Sequence, residues 1–218
     1  MVNTQSDIPA WLKHMLHPVD LEQITSLIQQ VERATDGEIV PVIVHKSTMT
    51  GHVATVCILL LWFFASAVVV EFHLDLSVLK MSFGLGALAA LGWALGRLDV
   101  LTRLLTPSAD LELQVWRRAQ SEFLREGIGR TKRATGILLF VSMVERRAVV
   151  LADQAIAAKY PQETWVEVVG ILINALKKRQ MGSGLCAAIA RCGQIIAPHF
   201  PPVVPGQNHL LDRLVIRE

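Results

Sequence analysis

Apolar residues recur along this chain with three different spacings. In "VDLEQITSLIQQVERATDGEI" Leu21, Ile24, Leu27, Ile28 and Val31 fall on one helical face, Asp20 and Gln23 form a capping box, and Gly37 suits the turn that follows. "EIVPVIVH" is apolar on both faces, as a buried strand is. Pro41 has no N–H to donate and places that strand at a sheet edge. A second helical spacing, Leu111, Val115, Ala119 and Phe123, stops at Gly127, and "TGILLFVSMVERRAVVLAD" reads as two strands around a tight turn near Met143 to Arg146. Further helices are expected from Asp153, from about Glu163 to Lys178 and from about Ser183 to Pro198, before the Pro-rich "PHFPPVVPGQNH" opens an extended tail.

The third spacing is no spacing at all. From Val53 to Val70 only Thr55 and Ser66 interrupt an apolar run of eighteen residues, close to the roughly 20 that cross a bilayer. Leu76 to Gly96 is a second such run, with Lys80 near one end where its stem reaches the headgroups. The short link "EFHLD" makes the two a helical hairpin. Gly86, Ala90 and Ala94, and also Gly92 and Gly96, give small faces on which two membrane helices approach. Neither span has an ionisable residue near its middle, which argues against a transporter or proton path.

Composition locates the excess apolarity in those runs. The chain of 218 residues is 52% hydrophobic and 18% charged, with mean hydropathy +0.42. A net charge of +2 without any Lys/Arg run is too small to suggest a nucleic-acid binder. Cys57, Cys186 and Cys192 have neither redox nor zinc spacing, so the thiols are expected to be reduced. Lys46 before the first span and Arg97 and Arg103 after the second outweigh the link, which carries Glu71 and Asp75 against Lys80. The flanks are therefore cytoplasmic. Asp7 interrupts any secretory h-region, and the expected location is a bacterial inner membrane with the soluble domain on the cytoplasmic face.

The soluble parts then read as one fold. If the strand at Ile39 and the strand at Ile137 are parallel neighbours, the connection between them is a βαβ crossover lengthened by the hairpin. Residues 1–50 and 97–218 form one discontinuous α/β domain, and residues 53–96 form the transmembrane hairpin, with helices at about 53–70 and 76–96. The "MVERR" turn, with Arg146 and Arg147, should lie with Lys46, Arg97 and Arg103 at the membrane surface, solvated or drawn to anionic lipid. "IPAWLKHMLH" clusters Trp11, Leu12, Met15 and Leu16 on one face, suited to the interface or to packing on the domain.

At the other end of the sheet the topology collects Asp36, Glu38, Arg130, Thr131, Lys132, Arg133 and Asp153. Asp36, Glu38 and Asp153 could hold a hard cation such as Ca or Mg, with Thr131 and Arg133 toward a phosphate. Turn, cap and ion-pair roles weigh more heavily for the same residues. "GIGRT" lacks the third glycine of a dinucleotide loop, "MGSGL" lacks the first glycine of a nucleophile elbow, and Cys186 and Arg191 are one residue short of a cysteine-phosphatase loop. No nucleophile beside a base is evident.

"VERATDGEIVPVIV", "FLREGIGRTKRATGILLFVSMVERRAVVLADQAI", Trp165, Gly184 to Leu185 and Asn208 to Asp212 together resemble a TPM domain. That family is named after a plant thylakoid lumen protein, a photosystem II repair factor and a nematode receptor auxiliary subunit. The resemblance implies a three-layer α/β/α sandwich with a small mixed sheet, here interrupted by the hairpin. It also implies acid phosphatase-like, calcium-binding or accessory roles, with the acidic positions at Asp36, Glu38 and Asp153. The chain departs from better-known members in its internal membrane helices and in "LADQAI", which replaces a glycine-rich turn after the third strand. The expected function is a non-catalytic accessory or interaction module for a membrane protein complex, with the lipid bilayer and another membrane protein as partners and no nucleic acid. The alternative is a divalent-metal-dependent phosphatase-like hydrolase.

Overall fold

The computed structural model describes residues 8–48, 51–73, 77–131, 133–202 and 212–218, with the side chains of residues 51, 52, 102 and 103 outside the description. The chain divides into two units, Met1–Ser47 with Glu112–Glu218, and Thr48–Leu111.

The first unit is built on a mixed four-stranded sheet in the order β3-β2-β1-β4. Strands β1 (Glu38–Val44) and β2 (Gly136–Ser142) are parallel, β3 (Arg147–Ala152) is antiparallel to β2, and β4 (Val215–Arg217) is parallel to β1. Every residue of β1 and β2 is buried, because helices cover both faces of the sheet. Ile39, Ile43, Ile137, Leu139, Val141 and Val150 face one core, filled from α1 (Pro18–Ala34), α7 (Val166–Lys178) and α8 (Met181–Ile196). Val40, Val42, Val44, Leu138 and Phe140 face the other, filled by Val115 and Ala119 of α5 (Ser108–Arg125) and by Ile128. The fold is an α/β/α sandwich. A short α6 (Gln154–Ala157) follows β3.

Four local expectations are corrected. Pro41 sits in an interior strand. It is tolerated there because pairing with β4 begins only at Val42, so at Pro41 itself the neighbouring strand lies on one side. The strand that makes β1 interior is β4, formed by the end of the expected tail. Asp20 is not the cap of α1; His17 is, and Asp20 at the third helical position accepts the His17 N–H at 2.7 Å. Gly37 does not supply a left-handed turn, since Gly127 at φ 73° is the one glycine of positive φ among the described residues. A side chain at Gly37 would instead strike Ile196 of α8. The N-terminal segment resolves toward packing on the domain: Leu12 and Leu16 lie in the α1/α7/α8 core.

The second unit holds α2 (Gly51–Glu71), α3 (Val78–Leu95) and α4 (Asp99–Leu105). Within them, Val53–Glu71 and Val78–Leu95, 19 and 18 residues, are long and apolar enough to cross a membrane. They pack as an antiparallel pair: Gly96 lies on Ala54, Gly92 on the backbone of Ile58, and the Trp62 indole donates to the Leu85 carbonyl at 3.1 Å. Their other faces are exposed and apolar, with Phe63, Phe64, Leu79 and Phe83 all projecting outward. A core helix of a water-soluble domain would bury such residues.

Candidate functional site

Strand direction places the starts of β1 and β2 and the end of β3 at one pole of the first unit. The turn that enters it is tightly bonded. The Thr35 hydroxyl donates to the Val31 carbonyl at 2.9 Å and accepts the Gly37 N–H at 3.3 Å, while the Asp36 N–H donates to the Phe200 carbonyl at 2.9 Å. Asp36 carries an ion pair with Arg133 at 2.9 Å. Glu38 is buried and its N–H donates to Thr135, whose own N–H donates to the Thr131 hydroxyl at 3.2 Å. Asp153 caps α6, accepting the Gln154 N–H at 2.7 Å, and its N–H meets the Gly136 carbonyl at 2.8 Å.

The fold therefore brings Asp36, Glu38, Thr131, Arg133 and Asp153 to one end of the sheet, each with a local structural task; Lys132 lies outside the described residues. Among the described residues no three His, Cys, Asp or Glu side chains are grouped to hold a metal ion. Asp36 faces a guanidinium and Asp153 Oδ1 caps α6, while Asp153 Oδ2 is buried without a hydrogen-bond partner; no chemical step is derived through a cation.

The same pole contains a pair that sequence reasoning passed over. Glu32, near the end of α1, accepts the Ile39 N–H at 3.2 Å. Burial pushes its carboxyl up to about 8, helped by the charge of Asp212, a hydrogen bond with Asp212 and the charge of Glu38; the Ile39 N–H pulls the other way. Glu32 thus favours its protonated form well above the ordinary carboxylate range. Asp212 lies within the "NHLLD" element, but its pairing with Glu32 depends on where β4 runs; Asn208 to Leu211 lie outside the described residues.

Elsewhere the rejected thiol motif has a structural explanation. Burial and the Asp20 charge hold the Cys186 thiol above its ordinary range, burial does the same to Cys192, and Arg191 is engaged with Glu167 at 2.8 Å. A low-pKa thiolate beside a free guanidinium, the requirement for a cysteine phosphatase, is not met.

At the opposite pole the ends of β1 and β2 gather Lys46, Arg146 and Arg147. Arg146 takes φ 52° in the β2–β3 turn and Arg147 pairs with Glu112 at 2.8 Å. In the second unit Arg97 lies 3.6 Å over the Trp93 ring, and Arg103 falls in α4 with its side chain outside the described residues.

Comparison with known proteins agrees with this architecture. The TPM domain family matches residues 103–195. Among solved structures, the chain is similar to the BA42 protein from the psychrophilic bacterium Bizionia argentinensis, solved by NMR. The TM-score is 0.57 at 16% identity, over 92% of this chain and 94% of that one. At that identity the likeness is one of fold. No curated protein matches the sequence.

Proposed function

We propose that this chain, whose residues 103–195 match the TPM domain, is a membrane-anchored accessory or interaction module for a membrane protein complex. One observation carries the reading: two antiparallel helices of membrane-spanning length, with outward apolar faces, are inserted between β1 and α5. Exposed apolar surface on that scale requires lipid or protein around it. The flanking charges favour a bacterial inner membrane with the sandwich in the cytoplasm. The bonding of Asp36 to Arg133 and of Asp153 to α6 supports a structural rather than catalytic use of the acidic pole.

The phosphatase-like alternative is favoured by one feature, the proton held by Glu32 beside Asp212 and Glu38 at the pole that also presents Arg133. A single preparation tests both. The full chain is extracted from bacterial membranes after crosslinking and assayed for companions and for phosphate release from an aryl phosphate with Ca or Mg. A reproducible membrane-protein companion is expected, and repeated recovery of the chain alone would sink the accessory reading. Metal-dependent release abolished by Asp153→Ala would establish the alternative instead.

A further inference from the structure

The insert leaves the first unit after Ser47 and the chain re-enters it at Glu112. Both residues are gripped by the same few residues of the β2–β3 turn. The Ser47 N–H donates to both carboxylate oxygens of Glu145, at 3.2 Å each, and the Ser47 and Ser142 hydroxyls lie 2.7 Å apart. Ser142 also donates to Glu145 at 2.5 Å. On the returning side, Arg147 holds Glu112 at 2.8 Å. Between them the Met143 and Val144 N–H groups donate to Val44 and His45, so the turn itself is sewn to the last residues before the exit.

This grip is polar where it is deepest. Ser142 is fully buried and Glu145 nearly so, and a carboxylate in such a place is held by its hydrogen bonds or not at all. An apolar contact slides under load, whereas this network has a fixed geometry and fails by breaking. It also reaches further: the His45 N–H donates to the Arg217 carbonyl, and the Arg217 side chain pairs with Glu122 of α5 at 3.7 Å and with Glu126, just beyond that helix, at 2.5 Å. A pull on either junction is thereby delivered to β1, β2, β4 and α5 together.

We propose that the turn Ser142–Arg147 is a mechanical clasp through which displacement of the membrane hairpin is transmitted to the sheet of the sandwich. The inference rests on the membrane-anchored reading above. Hydrophobic mismatch supplies the displacement, since a bilayer thinner than the spans tilts them.

The full chain is reconstituted in vesicles of phosphatidylcholine and phosphatidylglycerol with either short or long acyl chains, and amide exchange is followed at Ser47, Met143 and Val144. In the wild type these amides are expected to exchange about tenfold faster in one bilayer than in the other. In Glu145→Gln the difference is lost, because the amides are released in both. Arg147→Gln, which removes only a partly exposed ion pair, is the second variant should the first fail to fold, and it is expected to reduce the difference. Equal exchange in the two bilayers, in a wild-type chain that floats with the vesicles and resists alkaline extraction, overturns the clasp while leaving the anchor intact. A chain that does not float overturns both.

Discussion

Glu32 is a carboxyl group whose state departs far from the ordinary one. Its folded carboxyl is raised from 4.5 to about 8, first by burial and then by Asp212. The folded state therefore keeps a proton that the unfolded chain releases, and the sign of the linkage follows. Its contribution is fully present below pH 4.5, falls as pH rises through the window up to about 8, and is flat above it. Glu32→Gln mimics the protonated form and should remove this slope. Thermal melting of both chains from acid to mildly alkaline pH should show the wild type losing stability relative to the variant through that window, and parallel curves would refute the assignment. None of this was legible in the helical spacing that located α1. Asp212 precedes Val215 by as many residues as Ile39 precedes Val42, so the β1–β4 register carries Asp212 toward the amide that Glu32 accepts. Asp36, Glu38 and Asp153, by contrast, were placed at this pole by strand direction alone.

At the scale of elements, legibility followed the strength of the pattern. Long periodic segments and the all-apolar strands were readable because burial on one or both faces dictates them. The three-residue β4 has too few positions to express any period and follows a Pro-rich stretch; missing it also misplaced Pro41 at an edge. Helix α3 illustrates a different limit. Its two small-residue series have the same spacing, so the sequence does not distinguish them. The structure puts Gly92 and Gly96 against α2 and leaves open space at Gly86. A side chain at Gly92 would meet the Ile58 backbone nitrogen and Cα at 2.9 Å, where nothing flexible can yield. Gly92→Leu should cost about 1–3 kcal/mol of hairpin stability, the range of overpacked sites, while Gly86→Leu should be near neutral. Thermal melts of the full chain in detergent micelles, followed by the helical circular dichroism, compare the two; equal losses would contradict the helix register described here.

For the whole molecule the decisive fact is that β1 precedes the hairpin and β2 follows it, yet the two strands pair along their full length, from Glu38 with Gly136 to Val44 with Ser142. A sheet cannot form with its strands on opposite sides of a bilayer, because the backbone N–H and C=O groups must meet directly. If α2 and α3 cross a membrane, both flanks of the hairpin must therefore share one side, and the link between the helices must lie on the other. On the reading proposed above, the basic residues in the flanks put that shared side in the cytoplasm. Single cysteines introduced at Lys13, His73 and Lys178, in a chain whose own thiols are replaced by serine, make this measurable with a membrane-impermeant maleimide applied to intact bacterial cells opened only at the outer membrane. The position at His73 should react at once, and those at Lys13 and Lys178 only after the inner membrane is broken. Reaction of Lys13 and Lys178 positions on opposite sides would be incompatible with β1–β2 pairing, and simultaneous reaction of all three in the soluble fraction would remove the membrane from the account altogether.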